Sequence, residues 1–345
     1  MTTRTDRTAP AIPATMTAAV GRRYGGVEVV GVEQVPVPAP GRGDLLVRVE
    51  ASSLNALDWH FLTGTPYFIR LVAGLRRPRH TVRGADVAGT VVAAGAGVTA
   101  FAPGDEVFGE SQHGGFAPYA TVKAANVVNK PDGVSWEAAG ATPLAGGTAL
   151  QALRTHGAVQ PGDRVLVNGA AGGVGTFAVQ IATALGAEVT AVCSTRNVER
   201  VRGLGAVAVL DHTRDDVAAA GPPFDVMVDN VGNLGAQACL RLVRPGGRYV
   251  PVSGPKENRW LGPVPTMLGD RLAFRRARRR DGGAPTYHQF TASPDHDDLT
   301  FLGELLASGR VVPSIDRVVG LDGVADGLAE IGTGHARAKI VVRPV

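Results

Sequence analysis

Four glycines between residues 164 and 197 are spaced in a way that suits the binding of a phosphate group. Gly169, Gly172, Gly173 and Gly175 follow the apolar run at 165–167 and precede a helical pattern. An anion must approach the backbone amides at a helix N-terminus, where unpaired N–H groups and the helix dipole attract it. Glycines keep side chains out of that approach. The pattern indicates a strand, a phosphate-binding turn and a helix.

The turn from Ala170 to Gly175 matches the dinucleotide fingerprint incompletely. Ala170 stands where the strict pattern has its first glycine, whereas Gly172 and Gly175 keep the second and third. We therefore predict that Ala170, Gly172, Gly173, Val174 and Gly175 bind a dinucleotide. The alternative is a turn that joins strand and helix for structural reasons alone.

The end of the next strand bears on the choice of cofactor. An NAD site places Asp or Glu about 20 residues into the unit, whereas an NADP site replaces that acid with a cation. Here the predicted strand 188–193 ends in Ser194, Thr195 and Arg196, with no acidic residue. Because the arginine side chain offers a fork of donors to phosphate, NADPH is the predicted cofactor. The alternative is that Arg196 only caps the turn and does not contact a phosphate.

Short buried strands and helices alternate around this turn. A helix of about three turns is predicted behind the glycines, with its apolar residues between Phe177 and Leu185 and its end at Gly186. Further strands are predicted at 206–210, 225–229 and 248–253. Such alternation is typical of a doubly wound parallel sheet with helices on both faces. Ligands bind at the carboxyl ends of such strands, so Asn230 and Ser253 are predicted to lie near the cofactor.

The first part of the chain has a β-rich sequence pattern instead. Short strands with glycine turns predict a small irregular β-barrel that begins with a hairpin at 17–30. From Trp136 the pattern becomes helical, which places a domain boundary near residue 140. Residues 1–15 are polar and contain prolines, and are predicted to form a flexible tail.

Composition limits the function classes. A chain of 345 residues suggests about two domains. Its net charge of +4 is modest for this length. Its basic residues are mostly scattered and its aromatics sparse, which argues against a nucleic-acid partner. No apolar run reaches the roughly 18 residues of a membrane span, and no membrane partner is predicted. The two cysteines, Cys193 and Cys239, lie on predicted core elements, which argues against a disulfide scaffold and suits a reducing cytoplasm.

Two segments have open interpretations. The segment 55–80 combines apolar residues with a group of arginines, and is either a lid over a substrate pocket or a loop packed for structural reasons. The run FRRARRR at 274–280 either attracts an anionic substrate such as a coenzyme A thioester or forms a solvated helix face.

An ordered set of motifs extends over nearly the whole chain from Met16. They are NALD at 55–58, GADVAGTV at 84–91, GDEVFG at 104–109, GGFAPYATV at 114–122, PLAGGTALQAL at 143–153, AAGGVG at 170–175 and GHARAKIVV at 334–342. With these motifs the chain resembles the medium-chain dehydrogenase/reductase superfamily and, within it, the zinc-free quinone oxidoreductase and enoyl reductase branch. The resemblance implies an α/β fold in which a β-rich GroES-like catalytic domain, 16–140 and 292–345, flanks a Rossmann NADP-binding domain, 141–291.

The resemblance also raises the question of zinc, because zinc alcohol dehydrogenases share this fold. A catalytic zinc there needs cysteine and histidine ligands. The matching positions hold Asn55 and Ala85, and the chain lacks a cluster of four cysteines. We predict no metal.

The resemblance assigns roles to further residues. Asn55 would orient the substrate carbonyl or the nicotinamide ribose, with turn capping as the alternative, and Thr148 would meet the nicotinamide. Tyr67 would donate a proton or hold the carbonyl, with packing as the alternative. His212 stands where relatives have a tyrosine near the adenosine phosphate, and would join Ser194 and Arg196 there.

Together these inferences predict an NADPH-dependent, metal-free reductase of quinones or α,β-unsaturated carbonyl compounds. A zinc-free alcohol dehydrogenase or ketone reductase is one alternative, and a nucleotide-binding regulatory protein without turnover is another. The expected substrate is a small electrophile. Family resemblance also implies a homodimer, formed through edge strands of the nucleotide domains.

Overall fold

The computed structural model describes residues 12–221, 223–254 and 258–344. Within them the strands form a six-stranded sheet, a seven-stranded sheet and a separate pair. Of the predicted tail, residues 1–11 lie outside the described part. Its limit at residue 15 is wrong, because Thr15 already pairs with Pro36 in the first hairpin.

The hairpin and the larger sheet contain the strands of the β-rich part. They are β1 (Thr15–Gly21), β2 (Val30–Pro36), β3 (Asp44–Ser53), β4 (Asp86–Ala94), β5 (Glu106–Glu110), β6 (Tyr119–Lys123) and β7 (Val127–Asn129). β1 and β2 form the hairpin, and β3 pairs with both β4 and β6. Alternating apolar residues of β3 and β4, including Leu45, Val47 and Val49, form a core of their own.

The six-stranded sheet is parallel throughout. Its strands are β8 (Arg164–Asn168), β9 (Glu188–Cys193), β10 (Ala208–Asp211), β11 (Phe224–Asp229), β12 (Val243–Pro251) and β13 (Thr286–Tyr287), in the order β10-β9-β8-β11-β12-β13. The predicted strand 188–193 and its neighbours are confirmed. Val165 and Val167 belong to one apolar core and Leu166 to another, so β8 is buried on both faces. This confirms the doubly wound sheet.

The chain returns to the first sheet at its end. The last strands are β14 (Ile315–Val319) and β15 (Lys339–Val342), and β15 pairs antiparallel with β3. The β-rich unit thus includes early and late parts of the chain. The exact domain limits at 140 and 292 stay predictions.

Ten helices of the described residues cover the sheets and connect them. They are α1 (Ala56–Thr63), α2 (Arg70–Ala73), α3 (Trp136–Ala141), α4 (Pro143–Leu150), α5 (Gly173–Ala184), α6 (Val198–Gly203), α7 (Ala236–Leu242), α8 (Val264–Arg280), α9 (His296–Ala307) and α10 (Val324–Thr333). α4 continues into a π-helical segment, Gln151–His156. The five arginines at 275, 276 and 278–280 are exposed on α8, whereas Phe274 is buried. Among the described residues, no helix combines the length and apolar character that a bilayer span requires.

The glycine turn permits close contact between α5 and the end of β8. A Cβ on Gly175 would lie 2.1 Å from the carbonyl oxygen of Gly169 and 2.7 Å from Cα of Ala170. Both neighbours are backbone atoms that cannot move aside cheaply. Any side chain at this position would push α5 away from the sheet.

We therefore expect Gly175→Ala to destabilise the protein by about 2 kcal/mol through overpacking. Gly203→Ala is the matched control, because a Cβ there meets nothing within 4 Å. Replacing this helical glycine should stabilise by about 0.5 kcal/mol. Urea unfolding of both variants tests the contact, and equal stabilities would contradict it.

Candidate active site

A cavity of about 650 Å³ lies between the two sheets. This volume is in the range of small-molecule and cofactor sites. Its lining includes the ends of β8, β9 and β11 on one side and residues of α1, α4 and β15 on the other. The strand order reverses at β8, between β9 and β11, which is where ligands bind in open α/β sheets.

The glycine turn forms one wall of the cavity. Gly172, Gly173, Val174 and Gly175 line it, and α5 begins at Gly173. A Cβ on Gly172 would have only one neighbour, 3.6 Å away, so this glycine opens toward the cavity. The amides at the start of a three-turn helix therefore face an open space, as the binding of an anion requires.

Ala170 does not line the cavity. Its side chain is fully buried, and its N–H donates to the carbonyl oxygen of Val192 at 2.9 Å. The place at the wall belongs to Ala171. Ala170 therefore packs its methyl group into the apolar core beneath the turn and does not face the cofactor space.

Ser194, Arg196 and His212 lie together at the cavity wall beyond the end of β9. A guanidinium N–H of Arg196 donates to the carbonyl oxygen of His335 at 3.2 Å. This contact holds the exposed arginine beside the wall, and further N–H donors of its guanidinium are available to a ligand. The three residues that were predicted for the 2′-phosphate are thus brought together.

The carboxylate of Asp211, the residue before His212, accepts hydrogen bonds from neighbouring residues of the protein. It accepts from the Thr195 hydroxyl at 2.5 Å and from the backbone N–H and hydroxyl of Thr213 at 3.0 and 2.8 Å. These hydrogen bonds, led by that of Thr195, lower its pKa to about 2. Asp211 is not part of the cavity lining, and among the described residues no Asp or Glu lines it.

The ends of β8, β11 and β12 contribute Asn168, Asn230 and Ser253 to the lining. The Asn230 amide donates to the carbonyl oxygen of Asn168 at 2.9 Å. The Oδ1 atom of Asn230 is buried and has no hydrogen-bond partner within the described residues. Leaving such an acceptor unsatisfied is costly, and a bound ligand could supply the donor. The residues present therefore fit a dinucleotide.

Asn55 and Thr148 line the opposite wall of the cavity. The Thr148 hydroxyl donates to the carbonyl oxygen of Leu144 at 2.7 Å. The Asn55 amide donates to Asp86 at 2.8 Å and to the carbonyl oxygen of Ser53 at 3.2 Å. Since both N–H bonds of Asn55 are used, its side chain can only accept a hydrogen bond from a ligand.

Lys339 holds the Asn55 amide in this orientation. Its ammonium donates to Asn55 Oδ1 at 2.5 Å and lies 3.6 Å from an Asp86 carboxylate oxygen. Lys339 is 2% exposed and Asp86 fully buried, yet Lys339 borders the cavity. Asp86 also accepts from the Ser53 hydroxyl and from the Leu144 N–H, the latter at 2.8 Å. The pair connects β15 to β3, β4 and α4.

Two further carboxyl groups, those of the buried Asp58 and the half-buried Glu110, interact electrostatically with this pair. Burial raises the pKa of Asp58 to about 7, although the N–H groups of Asn55 and Gly84 donate to its carboxylate. Glu110 lies opposite Asp86 on the neighbouring strand, and burial together with the Asp86 charge raises its pKa to about 8. Burial also lowers the pKa of Lys339, while the surrounding carboxylates oppose that shift.

Sequence reasoning missed Lys339, Asp86 and Glu110. Lys339 and Asp86 lie in two of the motifs that carry the family resemblance, and Glu110 directly follows a third. Only the pairing of strands that are distant in sequence brings the three together. A lysine in an otherwise apolar terminal strand, AKIVV, was the one available signal.

Tyr67 does not line the cavity. Its ring packs edge to face against Trp260, with 5.0 Å between centroids, and the Arg70 guanidinium lies 4.7 Å from its centroid. This placement favours packing, the alternative stated for this residue. The role in proton donation is not supported by the geometry.

The positions that would hold zinc ligands carry Asn55 and Ala85, both buried. The Asn55 side chain is engaged by Lys339 and Asp86, and an alanine offers no donor atom. In the part of the chain that the structure describes, no three residues of His, Cys, Asp or Glu form a cluster suited to a metal ion.

Comparison with known proteins identifies the family. The alcohol dehydrogenase GroES-like domain matches residues 41–132, and a family described as zinc-binding dehydrogenase matches residues 204–342. The chain is 33% identical to the chloroplast envelope quinone oxidoreductase homolog of Arabidopsis thaliana, over 93% of this chain and 96% of the relative. It is 32% identical to a trans-enoyl reductase of Aspergillus terreus, over 88% and 87%. A quinone oxidoreductase structure from Coxiella burnetii superposes with a TM-score of 0.82 at 26% identity, covering 96% and 100%.

The buried Lys339–Asp86 pair generates a test of stability. Lys339→Met leaves Asp86 buried without its cation, so we expect a loss of about 4 kcal/mol in unfolding free energy. Asp86→Asn in the Lys339→Met background should cost at least about 1 kcal/mol less than the sum of the single changes. The exposed pair Arg22–Glu33 is the control, and Arg22→Met should cost less than about 1 kcal/mol. Additive losses at the buried pair would contradict the coupling.

The raised pKa of Glu110 generates a test of pH dependence. Because the folded protein holds this proton up to about pH 8 whereas the unfolded chain releases it near the ordinary value of 4.5, Glu110 makes stability fall as pH rises between these values. We expect Glu110→Gln to reduce the fall in urea midpoint between pH 5 and 8. The exposed Glu304→Gln should leave it unchanged. Parallel profiles for Glu110→Gln and the unaltered protein would exclude the coupling.

Proposed function

The chain belongs to the medium-chain dehydrogenase/reductase superfamily, in its zinc-free quinone oxidoreductase and enoyl reductase branch, and we propose that it reduces quinones or α,β-unsaturated carbonyl compounds with NADPH. Membership makes the chain an oxidoreductase with a nicotinamide cofactor and a small-molecule substrate. The choice of NADPH, the substrate class and independence from metal are our proposals.

The absence of carboxylates from the described cavity lining is the observation that carries the choice of NADPH. A carboxylate there would accept from the ribose 2′-hydroxyl of NADH and would repel a 2′-phosphate. Instead Ser194, Arg196 and His212 meet at the wall, and Asp211, next to His212, accepts hydrogen bonds from Thr195 and Thr213. We assign the 2′-phosphate to this group, with Arg196 as its fixed positive charge.

The remaining lining residues would hold the rest of the cofactor. The amides at the start of α5, at Gly172, Gly173, Val174 and Gly175, suit the pyrophosphate. Asn230 and Ser253 border the same space, and Asn230 supplies an unpaired acceptor. Thr148 lies on the opposite wall and is assigned to the nicotinamide side.

When bound, the reduced cofactor supplies a hydride to the substrate. Asn55 can only accept, so it suits a ribose hydroxyl better than a substrate carbonyl, which itself needs a donor. Lys339 and Asp86 position Asn55 by holding both ends of its amide. These buried groups keep the acceptor fixed at the cavity wall.

Metal independence rests on the donor set. Asn55 and Ala85 cannot replace cysteine and histidine as zinc ligands, so no Lewis acid is provided to polarise a simple ketone. A quinone or enone takes the hydride at carbon and places the charge on a conjugated oxygen, which a few donors can stabilise. Conjugated acceptors are therefore the substrate class that this site favours.

We also propose a homodimer, formed through edge strands of the nucleotide-binding sheet. β13, a two-residue strand, is one edge of that sheet. Sedimentation equilibrium tests this, and a monomer at micromolar concentration would contradict it.

Turnover against a panel of acceptors tests the proposed activity. We expect the purified protein to oxidise NADPH with quinones, enones or enoyl thioesters, with rates unchanged by a chelator. Turnover of saturated ketones at similar rates would favour a ketone reductase. Tight NADPH binding without turnover of any acceptor would favour a regulatory protein.

Substitution of Arg196 tests the choice of cofactor. Arg196→Ala removes a charge-assisted contact, so we expect the Kd of NADPH to rise about tenfold, while the Kd of NADH changes less than about twofold. Arg310→Ala, at an exposed arginine outside the cavity lining, is the control. Equal losses for the two cofactors in Arg196→Ala would refute the assignment.

A further inference from the structure

Two segments that are distant in sequence form one continuous surface outside the cavity, which we call the arginine surface and define as residues 66–79 and 259–261. The N–H of Tyr67 donates to the carbonyl oxygen of Arg259 at 2.9 Å, and the Tyr67 ring packs on Trp260. A Cβ on Gly262 would lie 2.3 Å from a Pro66 side-chain carbon. The two segments are therefore in direct contact.

The arginine surface exposes large apolar side chains. Leu71 is 68% exposed, Val72 71%, Leu75 68% and Trp260 71%. Side chains that lined a pocket for a small molecule would be largely enclosed. These protrude from the protein, so they suit a broad partner into which they can insert.

The same surface carries positive charge without compensation. Arg76, Arg77 and Arg79 are exposed, and none of them forms an ion pair within the residues that the structure describes. Between Trp59 and Ala85 the sequence contains no Asp or Glu. The partner of this surface must therefore be anionic.

A second copy of the chain does not meet that requirement. In a two-fold interface the same patch lies on both sides, so arginines would face arginines. Apolar and tryptophan side chains interleaved with arginines are instead the composition of surfaces that lie in the interface of an anionic bilayer. We propose that the arginine surface docks the protein on membranes that contain anionic lipids.

The surface also lies beside residues that line the cavity. His60 lines the cavity and contacts the carbonyl oxygen of Thr65 at 2.8 Å, one residue before the surface begins. On the other side Ser253 lines the cavity, and a Cβ on its neighbour Gly254 would lie 2.6 Å from Pro263. A docked molecule would thus hold its cavity close to lipid-dissolved electrophiles. The sequence predicted no membrane partner because hydropathy detects only long apolar runs, whereas this surface is assembled from two separate segments.

Cosedimentation with lipid vesicles tests the proposal without relying on turnover. We expect the protein to bind vesicles of phosphatidylcholine with phosphatidylglycerol, to bind pure phosphatidylcholine at least about tenfold more weakly, and to dissociate as salt rises. Brominated lipids should quench Trp260, and Trp260→Phe should remove most of that quenching. Equal binding to vesicles of the two compositions would overturn the electrostatic part of the proposal.

Two double variants locate the contact. Arg76→Glu with Arg77→Glu, and Leu71→Ser with Leu75→Ser, should each weaken binding to anionic vesicles by at least about tenfold. The control is Arg310→Glu with Val312→Ser, another exposed arginine and an exposed apolar residue. Undiminished binding in the first two variants would overturn the proposal. A lack of vesicle binding by the unaltered protein would also overturn it. That holds equally if the surface instead binds a second copy of the chain or an acidic protein. NADPH binding is measured in parallel, so failure of the surface and failure of the proposed function are distinguishable.

Discussion

Close contact between backbone segments at the glycine turn is the constraint on which the cavity depends. Gly175 lies against the carbonyl of Gly169, and this contact lets α5 begin directly beside the end of β8. The amides of the first helical turn then face the space between the sheets. A side chain at this point would move the helix, and the wall of the cavity would move with it.

The opposite wall depends on an ion pair that joins β15, near the end of the chain, to β4. Lys339, from β15, reaches Asp86 at the start of β4 and fixes the amide of Asn55 between them. Burying two charges is expensive, and such a pair contributes geometry more than stability. The pair orients the Asn55 amide so that its N–H groups are already used. Asn55 can therefore accept a hydrogen bond from a ligand but cannot donate one.

Much of the architecture follows from local patterns in the sequence. The strand, turn and helix at 164–186 were predictable because a buried β-branched run, glycines and a helical apolar period all agree there. Asn230 and Ser253 were predicted from the rule that strand ends meet at one edge of a parallel sheet, whereas His212 was predicted from the family resemblance. Ala170 and Tyr67 were placed in the site by motif position alone, and position does not fix where a side chain points. Lys339 and Glu110 depend on long-range strand pairing, which a single sequence does not provide.

The central claim is that the cavity recognises a 2′-phosphate through cations and excludes carboxylates from its described lining. Calorimetric binding of 2′,5′-ADP and 5′-AMP to the unmodified protein tests this claim most directly, since the two nucleotides differ only by the phosphate in question. The account predicts that 2′,5′-ADP binds at least about tenfold more tightly, with the difference reduced by salt. Equal affinities, or tighter binding of 5′-AMP, would contradict it.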